Sequence, residues 1–382
     1  MNKVFKLVWN AQRQAYVVTS EKAQSKGRLF LLNLVSAISV TLVMTPMSYA
    51  QCDSSLLKNN CARNVTNEIV NKNLYNNQFI SKQISVDVNS LFGATNFNNS
   101  VEILLSKHIE SVDDGYNYIS DNSVSDITLH QSAGDIIGGK NGINLNHNGN
   151  GSNGITISGE VTGKQGDGIR TINSTSTQDL NITELVGANV HGQGNGINAL
   201  NNGHGITIIS TADSVIGDEL DGILAVNDGD TQGLKIIQSA GDVHGKKNGI
   251  NADNKGKGRT NITSNGEVVG DENDGINAVN EQNAGDLLIS QNGGSITGGL
   301  NGIKANNLGN GSTTIAVSAN ILGQQNDGIY ANNSSNTHDL SVTQNSGVIN
   351  GKLNGINAVN NGNGSTIVTT SGTVTGLSLI HI

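Results

Sequence analysis

The chain has 382 residues, with 49 glycines, a single proline and only 3% aromatic residues, a composition that argues against an ordinary globular core. Residues 1–50 contain six Lys/Arg and one Glu, and the rest of the chain carries 16 basic and 30 acidic side chains, a formal charge of −14. This acidic balance without basic clusters predicts that nucleic acid is not a partner.

The first fifty residues have the three parts of a secretory signal peptide. Lysines and arginines precede a long apolar run from Leu29 to Met47, and Ser48-Tyr49-Ala50 follows as a small-x-small cleavage site. We predict cleavage between Ala50 and Gln51. A membrane anchor is the alternative, which the polar residues and the proline within the run disfavour.

A second motif lies ahead of the apolar run. Val8-Trp9-Asn10 is followed by Tyr16-Val17-Val18-Thr19-Ser20-Glu21, an aromatic and hydrophobic run that ends in Ser-Glu. This stretch resembles the extended signal peptide region of Gram-negative type V secretion, the family of autotransporters and their relatives. The resemblance divides the signal into an extended region at 1–27 and a hydrophobic core with its cleavage site at 28–50. It implies contact with the inner-membrane secretion machinery, followed by passage through the periplasm to the outer-membrane cell surface or the extracellular space.

The segment after the signal is predicted to be an irregular N-terminal cap over residues 51–112. Its cysteines, Cys52 and Cys61, are the only two in the sequence. An even pair in an exported chain is typical of a disulfide, and the alternatives are a metal site, which lacks nearby histidines, and a catalytic thiol. Aliphatic and β-branched content predicts strands at Ile84–Val88 and Val101–Leu105.

A tripeptide, Asn-Gly-Ile or Asp-Gly-Ile, recurs from the middle of the chain to its end. Its glycines are spaced 26, 28, 26, 27, 26, 27, 26 and 27 residues apart, and a fixed period in this range is typical of stacked repeats. Asp114-Gly115-Tyr116 fits as a degenerate first copy, so the repeats are predicted over residues 113–376. Asp and Asn alternate before the glycine at Asp114, Asn141, Asp167, Asn195, Asp221, Asn248, Asp274, Asn301, Asp327 and Asn354.

Each period contains three apolar patches of three to five residues, separated by Gly, Asn and Asp. The patches alternate with period two and are too short for helices. Asn-Gly and Asp-Gly normally favour hairpins, but hairpins would not repeat the same polar corners after every third strand. The repeats therefore predict an all-β fold, a right-handed parallel β-helix of about ten turns of 26–27 residues, with positive φ at its corner glycines.

The isoleucine of each tripeptide is predicted to point inward and to form an aliphatic ladder. These residues are Ile143, Ile169, Ile197, Ile223, Ile250, Ile276, Ile303, Ile329 and Ile356. A second interior ladder is predicted at Leu180, Ile182, Leu234, Ile236, Leu287, Ile289, Leu340 and Val342. One further column recurs once per double repeat, at Gln131, Glu184, Gln238, Gln291 and Gln344.

The alternation of Asn and Asp predicts a hydrogen-bonded ladder. Stacked corners would hold the carboxylates of an all-Asp column about 5 Å apart, which costs roughly 3 kcal/mol per contact at an effective dielectric of 20. Asn between them would double the separation of the charges and supply amide donors above and below each carboxylate. The alternative is that the alternation is a relic of duplication.

No motif in the repeats predicts catalysis, a metal or a cofactor. Gly149-x-Gly151-x-x-Gly154 matches a dinucleotide fingerprint by letter but has no strand-to-helix context. The histidines make no spaced metal-binding set. Enzymes of the β-helical polysaccharide lyase type cluster Asp, Arg and Lys on one face, whereas these repeats hold only Arg170 and Arg259 as arginines. We therefore predict a chain that is not an enzyme.

The signal and the repeats together resemble the N-terminal part of an autotransporter passenger. The resemblance implies a surface-displayed adhesin or interaction scaffold for a host or bacterial surface ligand, and a C-terminal outer-membrane β-barrel that the sequence lacks. Two alternatives are an exoprotein of a two-partner secretion system and a β-helical enzyme acting on polysaccharide. Residues 377–382, Leu-Ser-Leu-Ile-His-Ile, break the repeat and are predicted to be a non-native tail.

Overall fold

A computed structural model describes residues 5–10, 15–20 and 100–381 of the chain. The predicted cleavage site at Ala50 and Gln51, the predicted disulfide of Cys52 and Cys61, and the predicted strand Ile84–Val88 lie outside these residues and stay predictions. Every regular element in the described residues is a strand. In the same part of the chain, no helix is long and apolar enough to cross a membrane.

The first unit contains a hairpin of two strands, β1 (Phe5–Asn10) and β2 (Ala15–Ser20). The strands are antiparallel, and their register runs from Phe5 opposite Ser20 to Asn10 opposite Ala15. This hairpin coincides with the two halves of the predicted export motif, whose aromatic and β-branched residues favour strands.

The second unit is a solenoid of short strands. The first twelve are β3 (Val101–Leu105), β4 (Ile109–Ser111), β5 (Tyr116–Ile119), β6 (Ile127–Gln131), β7 (Ile136–Gly138), β8 (Ile143–His147), β9 (Asn153–Ile157), β10 (Glu160–Gly163), β11 (Ile169–Asn173), β12 (Leu180–Glu184), β13 (Asn189–Gly192) and β14 (Ile197–Asn201). The next twelve are β15 (Ile206–Thr211), β16 (Ser214–Gly217), β17 (Ile223–Asn227), β18 (Gly233–Gln238), β19 (Asp242–Gly245), β20 (Ile250–Asn254), β21 (Thr260–Ser264), β22 (Glu267–Gly270), β23 (Ile276–Asn280), β24 (Leu287–Gln291), β25 (Ser295–Gly298) and β26 (Ile303–Asn307). The last nine are β27 (Thr313–Val317), β28 (Asn320–Gly323), β29 (Ile329–Asn333), β30 (Leu340–Gln344), β31 (Val348–Gly351), β32 (Asn354–Asn360), β33 (Thr366–Thr370), β34 (Thr373–Thr375) and β35 (Ser378–His381).

These strands form three parallel sheets of eleven strands each, and each sheet takes every third strand. We call them sheet I (β3, β6 and onward to β33), sheet II (β4, β7 and onward to β34) and sheet III (β5, β8 and onward to β35). The register is constant from turn to turn, so that Ile250 lies between Ile223 and Ile276 in sheet III. The predicted parallel β-helix of about ten turns is therefore confirmed, and at about 4.8 Å per turn it is on the order of 50 Å long.

The interior is filled by the alternate residues of each strand, as the pleat of a strand requires. The nine tripeptide isoleucines are all fully buried, and alanine is the next inward residue in most strands of sheet III, for example Ala252. The second predicted ladder is also buried, at Leu180 and Ile182 and their equivalents. Sheet II supplies a third ladder of Val and Ile, which includes Val243 and Val268. Small aliphatic side chains suffice because the three sheets enclose a narrow space.

Parallel pairing extends beyond both ends of the predicted repeat region. The predicted strand Val101–Leu105 is confirmed and pairs with β6, so the predicted cap segment 51–112 contains strands of the first turn. Tyr116 pairs with Ile143 and occupies the isoleucine position of the degenerate first copy. At the other end, β35 pairs with β32 and continues sheet III into residues 377–382. The non-native origin of that tail stays a prediction.

The tripeptide glycines differ from expectation in their backbone conformation. Positive φ occurs in the described residues at five other glycines, of which Gly187 and Gly241 are examples, and not at the tripeptide positions. A Cβ added to Gly249 would lie 2.5 Å from Val268 Cγ1 and 2.7 Å from the carbonyl oxygen of Gly275. Equivalent contacts recur at Gly142, Gly168, Gly196, Gly222, Gly275, Gly302 and Gly328. The prediction of positive φ at these positions was wrong, and close approach of the next turn requires glycine there.

Candidate functional site

The alternating Asp and Asn residues before the tripeptide glycines form a column of hydrogen bonds, which we call the corner ladder. Asn195 donates to Oδ1 of Asp167 from its backbone N and from Nδ2, each at 2.8 Å. The backbone N of Asp221 then donates to Oδ1 of Asn195 at 3.1 Å. The same contacts recur along the column, with Nδ2 to Oδ1 distances of 2.8, 2.8, 2.8 and 2.6 Å at the other Asn–Asp pairs.

In four of the five turns a third donor forms a hydrogen bond with the second carboxylate oxygen of the aspartate. It comes from the residue three positions after the asparagine of the following turn, such as Asn198, whose Nδ2 lies 2.8 Å from Asp167 Oδ2. Asn144, Asn251 and Asn357 make the equivalent bond, and Lys304 Nζ lies 3.8 Å from Asp274 Oδ2 in the remaining turn. Donors therefore come from the following turn alone, not from above and below. An amide is directional, so Nδ2 faces the preceding Asp while Oδ1 faces the following one.

The corner ladder explains how a buried column can contain carboxylates. Asp167, Asp221, Asp274 and Asp327 are 3–7% exposed. Buried carboxylates are tolerated when their oxygens are hydrogen-bonded. Three donors serve Asp167, Asp221 and Asp327, whereas Asp274 has two donors and an ion pair with Lys304. The hydrogen bonds of the corner ladder follow the two-turn period of Asp and Asn.

A second polar column lies inside the solenoid, and sequence reasoning missed it. It consists of the last residue of the sheet III strands, fully buried at His147, Asn173, Asn201, Asn227, Asn254, Asn280, Asn307 and Asn333, and we call it the inner ladder. The signal was present, because an Asn follows each tripeptide glycine from Gly168 onward by five residues, on the inward side of the strand. Such an invariant polar residue at an inward position indicates a satisfied buried amide.

Hydroxyl groups join the inner ladder from one turn to the next. Asn201 Nδ2 donates to Thr207 Oγ1 at 3.0 Å, and Thr207 Oγ1 donates to Asn227 Oδ1 at 2.6 Å. Asn227 Nδ2 then donates to the carbonyl oxygen of Gly233 at 2.7 Å. The inner ladder thus fastens the corner between sheets III and I with hydrogen bonds that water does not reach.

Asn227→Ala is expected to lower the free energy of unfolding by about 2–4 kcal/mol, because Thr207 Oγ1 and the Gly233 carbonyl lose a buried partner. Val226→Ala is the matched control, since Val226 lies on the outer face of the same strand. Denaturant unfolding followed by circular dichroism measures both. Equal losses in the two variants would contradict a role for the buried amide.

The first member of the inner ladder forms a hydroxyl–imidazole pair. Ser120 Oγ lies 3.1 Å from His147 Nδ1, and the backbone N of Gly149 also donates to Nδ1 at 3.3 Å. Serine and histidine at this distance resemble the start of a nucleophilic site. Both are buried, however, with His147 fully and Ser120 97% inaccessible, and burial lowers the pKa of His147. Ser120 directly follows β5 and is in register with His147 of the next turn, so the pair joins two successive turns and has a structural role.

The outer faces carry small polar side chains in register. On sheet I, Thr156, Thr183, Ser210, Thr263, Ser290, Thr343 and Thr369 lie in one outward column, interrupted by Ile237 and Ala316, and we call this the hydroxyl column. Its rows follow the strand spacing of about 4.8 Å. It is a strip of small donors and acceptors that runs along the solenoid.

Histidine and aspartate side chains on the outside pair between turns. His191 Nε2 lies 2.9 Å from Asp218 Oδ2, and His244 Nε2 lies 3.0 Å from Asp271 Oδ1. Such exposed pairs contribute little to stability. Across residues 5–10, 15–20 and 100–381, no group of three or more His, Cys, Asp or Glu side chains is arranged to hold a metal ion.

An export motif ahead of a continuous β-solenoid defines the class of exported β-solenoid proteins. Residues 1–45, which include the β1–β2 hairpin, match the family described as Extended Signal Peptide of Type V secretion system. Searches of curated proteins and of solved structures returned no match.

The match and the fold together fit an autotransporter, with a type V secretion signal followed by a passenger-like parallel β-solenoid. The signal implies that the chain engages the secretion machinery and is exported from a Gram-negative cell.

Proposed function

We propose that the solenoid is an autotransporter passenger that acts without enzymatic activity as an adhesin or interaction scaffold. It would be displayed at the outer-membrane surface or released into the extracellular space. The hydroxyl column carries the proposal, because it is an outward-facing, half-buried strip that repeats the same small polar groups along the solenoid. A repeated strip can make many weak contacts with a repetitive host or bacterial surface ligand at once.

The chemistry of this strip indicates the kind of ligand. Threonine and serine are short, so little side-chain entropy is lost when they are held against a partner. Their hydroxyl groups donate and accept, which suits a polar and uncharged surface. Most charged groups lie on other parts of the surface, as in the pairs of Lys140 with Asp113 and of Lys164 with Glu110, both at 2.9 Å, whereas Lys235 shares the outer face of sheet I.

A pair of charge insertions tests this proposal. Thr183→Lys with Thr263→Lys places two bulky cations in the hydroxyl column, and we expect binding to host or bacterial cells to fall about tenfold or more, which corresponds to at least 1.4 kcal/mol. Thr162→Lys with Thr297→Lys makes the same change on the outer face of sheet II and is the matched control. The measurement is saturation binding of the labelled full chain to cells.

Equal binding by both variants and the unmodified chain would contradict a role for the hydroxyl column. Incubation of the unmodified chain with cell-surface polysaccharides examines the enzymatic alternative, which time-dependent release of new sugar ends would support. The export route has its own alternative, a two-partner system, which a separate transporter gene beside this one would favour.

A further inference from the structure

One column of buried polar side chains consists of four glutamines and a single glutamate. Its five members, Gln131, Glu184, Gln238, Gln291 and Gln344, end alternate strands of sheet I and are at most 2% exposed. The residue three positions later is in each case a glycine with positive φ: Gly134, Gly187, Gly241, Gly294 and Gly347, at 77°, 87°, 69°, 65° and 83°. Four corners of the same geometry therefore have glutamine and one has glutamate.

In the four glutamine corners the side-chain amide closes the turn. Nε2 donates to the carbonyl oxygen of the glycine three residues later, at 2.6, 2.8, 3.0 and 3.0 Å along the column. In the Gln238 corner Nε2 also donates to the carbonyl oxygen of Glu267 in the next turn, at 2.8 Å. The amide N–H groups thus fasten the corner to itself and to the turn that follows.

The glutamate cannot make this bond while it is ionised. Oε2 of Glu184 accepts from the backbone N of Ala212 at 3.1 Å and of Asp213 at 3.2 Å. Oε1 is buried and has no hydrogen-bond partner. A carboxylate has no proton to offer to the carbonyl oxygen of Gly187, whereas a carboxylic acid has one.

We propose that residues 184–188, the Glu184 corner, are a pH-sensitive element of the solenoid. When Glu184 takes up a proton, its hydroxyl donates to the Gly187 carbonyl oxygen, as Nε2 does in the glutamine corners. When the proton is lost, the corner keeps only the two bonds from Ala212 and Asp213. The exposed side chains of Leu185 and Val186, 44% and 84% accessible, belong to the segment that this proton controls.

The surroundings of Glu184 favour the protonated form. Burial raises the pKa of Glu184 to about 7, with a further increase from the charge of Asp213, against the opposing backbone hydrogen bonds. The two strands packed against β12 are β9 and β15, which contain no titratable side chain. The corners of the preceding and following turns contribute Glu160 and Asp213, both acidic, and Asp213 Oδ2 also accepts from the backbone N of Gly187 at 3.0 Å.

The raised pKa of Glu184 sets the direction in which the stability of the corner changes with pH. The folded chain holds the Glu184 proton up to about pH 7, whereas the unfolded chain releases it near the ordinary value of 4.5. The contribution of protonated Glu184 to the free energy of unfolding is therefore complete below about pH 4.5, declines as the pH rises towards 7, and is absent above pH 7. The corner is expected to be closed in mild acid and loosened at neutral and alkaline pH.

Hydrogen exchange of the full chain, read by mass spectrometry on peptides that cover residues 184–188 and 238–242, tests the proposal. After correction for intrinsic exchange, protection of the Glu184 corner should fall about tenfold or more between about pH 5 and pH 8, while the Gln238 corner stays constant. Glu184→Gln should remove the pH dependence and keep the corner protected throughout. Gln238→Glu should transfer the pH dependence to the second corner.

Constant protection of the unmodified Glu184 corner, or a pH dependence that persists in Glu184→Gln, would overturn the proposal. Because Glu184→Gln restores the residue that the other four turns use, it is expected to fold. The comparison of Glu184→Gln with the unmodified chain therefore tests the proposal even if Gln238→Glu fails to fold.

Discussion

Asn195→Asp combined with Asn248→Asp is expected to destabilise the solenoid strongly at pH 7. Each new carboxylate would face an aspartate on either side, with Asp221 shared between the two. At an effective dielectric of 20 each such contact costs roughly 3 kcal/mol before screening and relaxation. The hydrogen bonds from the side-chain amides of Asn195 and Asn248 to Asp167 and Asp221, both 2.8 Å, are lost as well. We expect the free energy of unfolding to fall by about 5 kcal/mol or more, since buried unpaired charges have among the largest mutational effects.

The loss is expected to shrink in acid, because protonation of one carboxylate in each new contact removes the repulsion. Denaturant unfolding at pH 7 and in mild acid measures it. Asn283→Asp, which changes the formal charge at an exposed corner, is the control and should shift stability by no more than about 0.5 kcal/mol. Equal destabilisation at both pH values would favour the alternation as a relic of duplication over the ladder.

Gly249→Ala is expected to lower the free energy of unfolding by about 3 kcal/mol or more, which is a larger loss than at Gly187 or Gly229. The new Cβ would lie 2.5 Å from Val268 Cγ1 and 2.7 Å from the Gly275 carbonyl oxygen. That carbonyl accepts from the backbone N of Ile250 at 2.9 Å, so it cannot move away without breaking the ladder between two turns. Thermal unfolding followed by circular dichroism measures the effect.

Two other glycines separate the possible causes. A Cβ added at Gly229 would lie more than 4 Å from any atom, and the φ of Gly229 is not positive. We therefore expect Gly229→Ala to leave the free energy of unfolding unchanged or to raise it by about 0.4–1 kcal/mol. Gly187→Ala also meets no atom, but its φ is +87°, so the strain of a left-handed residue, about 1–2 kcal/mol, is expected alone. If Gly249→Ala lost no more than Gly187→Ala, close approach between turns would not explain the tripeptide glycine.

The period of the repeat and the alternation of apolar and polar residues within each patch were sufficient to predict the sheets. Three short patches every 26 or 27 residues, with the same corner residues each time, are compatible with strands that stack on their own copies one turn away. The side chains alternate in and out along a strand, so placing one isoleucine inside also places its neighbours. Ile250 and its equivalents are accordingly buried.

Hydrogen-bond partners could not be predicted in this way. The inner ladder depends on Thr207 and the Gly233 carbonyl, which reach Asn227 from different turns and a different sheet. A polar residue such as Asn227 at an inward position is readable in the sequence, but its partners depend on how the corner bends. The same holds for Asn198, whose bond to Asp167 spans 31 residues.

The sequence by itself determined the class of the protein, because the type V signal and the periodic isoleucines are local patterns that require no knowledge of contacts. Only the tertiary structure decided why the tripeptide contains glycine and on which side each carboxylate of the corner ladder is bonded. It also showed that Glu184, which occupies the position of glutamine in four other turns, has a buried oxygen without a hydrogen-bond partner. These facts depend on distances of 2.5–3.2 Å between neighbouring turns, which a period of 26 or 27 residues does not specify.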